Sequence, residues 1–139
     1  MSAINMAKVI VGGLVAGLVI NVSEFLLNAV VLAADMEAAM ARLNLPPVGG
    51  QAVAVFVLFG FIVGIGMIWL YAAIRPRYGP GPKTALCAGA TVWFFAYFYP
   101  SVGMTVIGIF ETRLMVIGLI WGLVELLVAA LVGAYFYKE

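Results

Sequence analysis

Charged residues divide the chain into four long apolar runs joined by short polar intervals. Residues 9–34 contain only Glu24, residues 43–74 and 84–110 contain no charge, and residues 114–137 contain only Glu125. A helix needs roughly 20 apolar residues, at about 1.5 Å each, to cross about 30 Å of hydrocarbon. Each run is long enough. The pattern predicts an all-α integral membrane bundle, with four transmembrane helices at about 8–34, 51–74, 84–110 and 113–137 forming a single domain over 1–139. The first run is far longer than the apolar core of a secretion signal and carries Glu24 and two asparagines, so it is expected to be a permanent helix.

The polar intervals are informative in their own right. In residues 35–45 (DMEAAMARLNL), Met36, Met40 and Leu43 share a helical face opposite Glu37. That suits a short helix on the membrane surface, ended by Pro46 and Pro47 and making 35–47 a surface segment; an ordinary loop turn is the alternative. Residues 75–83 (RPRYGPGPK) hold three prolines, two glycines and three positive charges, and are expected to be a water-exposed linker without helix. Pro100 interrupts the third run, so that helix either kinks there or ends; residues 84–99 alone are too short to span, which favours the kink. Trp69, Tyr71, Tyr135 and Tyr137 stand near helix ends, where interface aromatics are expected.

Composition then fixes the class and removes several functions. The chain is 66% hydrophobic and 9% charged, with mean hydropathy +1.20, against about 25% charged residues in a soluble domain. A net charge of +1 leaves no basic face for nucleic acid. The single cysteine, Cys87, excludes an internal disulfide and a cysteine metal cluster, and is expected to be a buried small hydrophobe. There is no histidine, hence no usual haem or zinc ligand and no usual general base. With no nucleophile elbow, phosphate loop or metal motif, no catalytic residue, metal or cofactor is expected.

With four spans, Lys8, Arg75, Arg77, Lys83 and Lys138 share one side, and Arg42 and Arg113 share the other with Asp35, Glu37 and Glu111. The positive-inside bias then places both termini in the cytoplasm and the protein in the cell inner membrane.

Within the first run, Gly13, Gly17, Asn21, Glu24 and Asn28 recur at intervals of 4, 4, 3 and 4, one helical face. In the fourth, Gly118, Gly122, Glu125, Ala129 and Gly133 recur at intervals of 4, 3, 4 and 4, again one helical face. Small residues at spacing four let backbones approach, so the two stripes are expected to pack the first and fourth helices together. Glu24 lies 11 residues before Asp35 and Glu125 12 residues after Arg113, both about 17 Å inside the same edge at about 1.5 Å per residue. Gly60, Gly64 and Tyr97 reach the same layer. The expected intramembrane polar site is therefore Glu24, Glu125, Asn21, Asn28 and Tyr97, with Gly13, Gly17, Gly60, Gly64, Gly118 and Gly122 as packing positions. A charge at a helix centre costs about 2.5–3.5 kcal/mol on insertion scales, so the pair is expected to be largely neutral or to share a proton.

The runs LYAAIRPRYGPGPKTALCAG (70–89), NVSEFLLN (21–28) and IWGLVELLVAALVGAYFYKE (120–139) resemble small bacterial four-helix membrane proteins, a group that implies the fold and no activity. In architecture the chain is also similar to the small multidrug resistance exporters, four-helix proteins with one membrane-embedded glutamate in the first helix, which Glu24 would match. It departs from them in its length, in Glu125 and in the 75–83 linker.

The absence of catalytic groups points to an accessory or assembly subunit or scaffold of a larger membrane complex, with the bilayer and other subunits or a second copy as partners. Two rivals remain. One is a small proton- or cation-coupled transporter using the carboxyl pair; the other is a binder of a lipid-soluble ligand using the aromatic run 93–99.

Overall fold

The structure, a computed structural model, describes residues 3–138; Met1, Ser2 and Glu139, the ends of the expected single domain, lie outside the described residues. The chain is all-helical. Four helices are long and apolar enough to cross a membrane: α1 (Met6–Val31), α3 (Gly50–Tyr78), α4 (Pro82–Val106) and α5 (Thr112–Phe136). Between α1 and α3 lies a short helix, α2 (Ala33–Arg42).

The helix ends follow local chemistry. The Asn5 side chain accepts from the Lys8 amide at 3.2 Å and caps α1. Pro82 occupies the first turn of α4, where a missing N–H costs nothing. α3 does not stop at Ile74 as expected but continues through Pro76 to Tyr78. Pro76 forfeits one hydrogen bond, yet it sits in the last turn, where the Arg75 carbonyl still accepts from the Gly79 amide at 2.8 Å. Gly79, at φ +86°, then turns the chain away. The linker shrinks from 75–83 to residues 79–81, held by the Gly81 amide donating to the Tyr71 hydroxyl at 3.2 Å and by Thr84 Oγ1 donating to the Gly79 carbonyl at 2.6 Å.

α4 runs through Pro100 without a break. Its residues Phe94–Phe98 widen into a π turn, and the Tyr99 amide reaches back to the Phe94 carbonyl. The wider register accommodates a proline ring that would strike the Ala96 carbonyl of a regular α-helix. A second π segment, Leu26–Val31, follows directly on Phe25 and closes α1.

α1 packs on α3 and α5, and α4 on α3 and α5, leaving α1 and α4 diagonally opposed. The main buried cluster (Val9, Ala16, Ile20, Met67, Ile68, Tyr71, Ala72, Ala85, Ala88, Leu126, Ala129, Ala130 and Tyr137) lies on the side of the bundle that carries the chain ends, while Leu27, Leu32 and Leu119 are buried toward the other end. Tyr71 and Tyr137, expected as interface aromatics, instead plug this end. Their rings meet edge to face at 6.0 Å, the Arg75 guanidinium lies 5.6 Å over the Tyr137 ring, and the Asn5 amide donates to the Tyr137 hydroxyl at 3.3 Å. Both are only 3–4% exposed because the phenol that would meet an interface is used for closure.

The other half is splayed. Val53, Val55, Phe56, Val57, Leu58 and Phe59 are all exposed, so this part of α3 is largely uncovered by the other helices, apart from the Asn21 side chain on the Val57 carbonyl. Phe94, Phe95 and Tyr99 of α4 also face outward. At this end, Arg113 Nη1 meets Asp35 Oδ1 at 2.9 Å, and Arg42 donates to the Gly108 and Ile109 carbonyls at 3.4 and 2.5 Å. These bonds tie α2 to the α4–α5 turn. Residues 33–42 are thus a helix and not a loop turn, with Met36, Met40 and Leu43 half-buried on one face.

Candidate functional site: a carboxyl cluster at the base of the splayed half

Glu125 sits on α5 where the closed half gives way to the open one. It is 4% exposed. Its Oε1 accepts from the Tyr97 hydroxyl of α4 at 2.7 Å, while its Oε2 is buried without a hydrogen-bond partner. Ser23 and Glu24 of α1 are close enough to act on the same carboxyl, and Glu24 acts on Tyr97 as well. The three groups singled out from sequence on three different helices therefore converge.

Glu24 is half-buried, and its Oε2 accepts from Asn28 Nδ2 at 2.9 Å. The same nitrogen donates to the Glu24 carbonyl at 2.9 Å. A carbonyl left under-used where α1 loosens into its π turn is thereby satisfied by a side chain. Both loosened turns adjoin the cluster: one holds Asn28, the other Tyr97.

Asn21 does not join the cluster. It turns toward α3, where Nδ2 donates to the Val57 carbonyl at 3.2 Å. Gly60 makes room for it, since a Cβ there would lie 2.5 Å from Asn21 Oδ1. Intervals of four drift around an α-helix, so Gly13, Gly17 and Asn21 face α3, and the interval of three before Glu24 restores that residue to the interior.

The glycine stripes divide in the same way. Gly13 and Gly17 pack on Ile65, Phe61 and Gly64 of α3, not on the fourth long helix as expected. The close approach of α1 to α5 is made instead by Gly12 and Ala16 against Gly133. Gly122 is flat against the Tyr97 ring, which a Cβ would strike. Gly118 packs against nothing within 4 Å, correcting its assignment as a packing position. Gly118→Ala is therefore expected to leave stability unchanged or raise it by up to about 1 kcal/mol through helix propensity, as measured by reversible unfolding in mixed micelles. Cys87, expected to be buried, is exposed on α4; Ala85, Ala88 and Gly89 take the interior face instead.

Three residues of the site escaped the sequence reading. Trp121 Nε1 donates to Ser23 Oγ at 2.9 Å, and Trp93 Nε1 donates to the Leu119 carbonyl at 3.0 Å. Each tryptophan precedes a cluster residue by one turn, Trp121 before Glu125 and Trp93 before Tyr97. The signal was there: spacing four puts each indole on the same face as its polar neighbour. Ser23 was hidden as a small residue beside a conspicuous glutamate.

No protein-family model, no curated protein and no solved structure matches this chain.

Proposed function

We propose that this is a non-catalytic multi-pass membrane protein that takes up and releases a proton at the Glu24–Glu125 pair, the coupling site of a small transporter. The observation that carries the reading is the Glu125 carboxyl, with one oxygen held by Tyr97 and the other buried without a partner beside a second carboxyl. A carboxylate in hydrocarbon is expensive unless paired, and no lysine or arginine lies in this stretch of any helix. A proton held between Glu125 and Glu24 satisfies the orphaned oxygen and removes one charge. A metal cation fits less well, because two carboxyls supply few of the six or more oxygens a hard cation takes.

The two unlike halves of the bundle support one-sided exchange. The tyrosine plug and the alanine-rich core close the end with the termini, and the splayed half leads away from the cluster. With Lys8, Arg75, Arg77, Lys83 and Lys138 at the closed end, the positive-inside bias turns that end, and both termini, toward the cytoplasm of an inner membrane.

Infrared titration of the protein in lipid tests this. A protonated-carboxyl band is expected at neutral pH, to vanish on alkalinisation, and to be lost in Glu125→Gln. Two fully ionised carboxyls at neutral pH would end the proposal.

A second reading, an accessory subunit of a larger assembly, is favoured by one feature: α3 from Val53 to Phe59 is apolar and largely exposed. Stoichiometric co-purification with other chains after mild extraction, seen in the mass of the intact assembly, would support it; a chain that runs alone would not.

A further inference from the structure

Arg77 lies in the last turn of α3 and Lys83 in the first turn of α4, on either side of the turn 79–81. Because α3 packs on α4, the two cations stand level on adjoining helix ends. The backbone fixes their spacing, since the Tyr71 hydroxyl and Thr84 Oγ1 both bond within that turn. Both side chains are exposed, and neither has a hydrogen bond or ion pair among the described residues. Nor is a counter-charge at hand. α3 and α4 contain no Asp or Glu, Glu24 and Glu125 lie mid-bundle, and Asp35, Glu37 and Glu111 lie at the opposite end. At that end both arginines are occupied, Arg42 by carbonyls and Arg113 by Asp35. Of the other cations beside the chain ends, Arg75 turns inward onto the Tyr137 ring, and Lys138 is followed in sequence by Glu139. Residues 69, 73 and 77 recur at spacing four, and 83 and 86 at spacing three, so Trp69 shares the face of Arg77 and Leu86 that of Lys83. Trp69 is 46% exposed and Leu86 37%. At about 1.5 Å per residue they lie about 12 Å and about 4.5 Å further into the bundle than the cations above them.

We infer that the α3–α4 corner binds a phospholipid of net negative charge, its phosphate between Arg77 and Lys83 and an acyl chain along Trp69 and Leu86. Two like charges held at one level by a fixed turn repel each other, and a phosphate shared between them turns that repulsion into attraction. The guanidinium can take two phosphate oxygens at once, and the ammonium adds a point charge. Each lysine or arginine beside an anionic lipid surface strengthens association about fivefold. A zwitterionic lipid offers the same phosphate but brings its own ammonium against the two cations. An acidic peptide would satisfy the charges and leave the apolar faces below them unused. Tyr78, 66% exposed in the same turn of α3 as Arg77, supplies an amphipathic ring of the kind that settles among headgroups. The inference stands apart from the carboxyl site and requires only that the four long helices span a bilayer.

The test uses the full chain in phosphatidylcholine nanodiscs, with Trp69 fluorescence as the reporter. Phosphatidylglycerol brominated midway along its acyl chains is expected to quench more than equally brominated phosphatidylcholine at the same mole fraction, and the excess to saturate. Unbrominated phosphatidylglycerol should reverse the excess, while inorganic phosphate and soluble glycerophosphoglycerol at matched ionic strength should not. Trp69→Phe should remove it. Arg77→Gln and Lys83→Gln should each raise the half-saturating fraction about fivefold, and together abolish the excess. Lys8→Gln combined with Lys138→Gln takes the same charge from the same end and should leave the excess in place. Equal quenching by the two lipids would overturn the assignment. So would equal loss in both double variants, the mark of a diffuse surface field, or reversal by inorganic phosphate, the mark of a free-anion site. All four substituted residues are exposed, and should a variant fail to fold, the lipid competition on the unaltered chain still decides.

Discussion

Gly64→Val is expected to abolish the folded bundle. A Cβ built on Gly64 falls into the backbone of α1, against the Gly13 carbonyl and 2.5 Å from the Gly17 nitrogen. Backbone atoms cannot rotate away as a flexible side chain can. α1 and α3 would have to separate, and that opens the most extensive helix contact in the chain together with the core positions beside it, Val9, Ala16, Met67 and Ile68. Overpacking in an ordinary core costs about 1–3 kcal/mol. Here the clash is backbone on backbone, so the loss should exceed about 3 kcal/mol, the size reserved for a short list of disruptive mechanisms. Gly66→Val supplies the control. Gly66 lies two residues further along the same helix, has the same intrinsic propensity, and meets nothing within 4 Å. Unfolding of both variants in mixed micelles separates packing from propensity: equal losses would show that Gly64 matters only as a helix residue.

That contrast also shows what could be read from the amino-acid order and what could not. Four charge-poor runs of helical length gave the four long helices, because in a chain this apolar little else decides whether a segment is long enough. Matched depth brought Glu24, Glu125 and Tyr97 to one level, since distance counted inward from one edge grows by the same rise per residue on every helix, whichever way the helix runs. The azimuth was harder. A stripe spaced by four advances a little around the helix at each step, so Gly13 and Asn21, apparently aligned with Glu24, belong to a different neighbour. Which helix faces which stripe is decided by all four helices at once. Pro76 was over-weighted for a related reason. A proline forfeits one hydrogen bond, and a last turn or a π turn absorbs that loss more cheaply than ending a helix where no water awaits its carbonyls. Tyr71 and Tyr137 sat where interface aromatics usually sit, and only the approach of the two helix ends to each other and to Arg75 makes them a plug.

Loss of the phenol at the cluster is expected to cost more as the medium becomes more alkaline. Tyr97→Phe removes the one donor to Glu125 Oε1 and leaves the ring, hence the packing against Gly122, in place. While the carboxyl holds a proton, the lost bond is neutral to neutral. Hydrogen bonds between membrane helices of that kind average about 0.6 kcal/mol in coupling measurements and reach about 1.7. Once the carboxyl ionises, the missing donor is one to a charged acceptor, worth about 1.5–3 kcal/mol. The destabilisation measured against the unaltered chain should therefore rise from about 1 kcal/mol near neutrality toward about 2 kcal/mol at high pH. Glu125→Gln keeps an acceptor for Tyr97 and cannot ionise. Placed beneath Tyr97→Phe in a double-mutant cycle, it should flatten that slope while retaining the neutral part of the coupling. A slope that survives Glu125→Gln would show that Glu125 is not the protonatable centre. A flat profile in the unaltered background would mean that neither carboxyl changes its charge over that range, and the proton-handling role would fall with it.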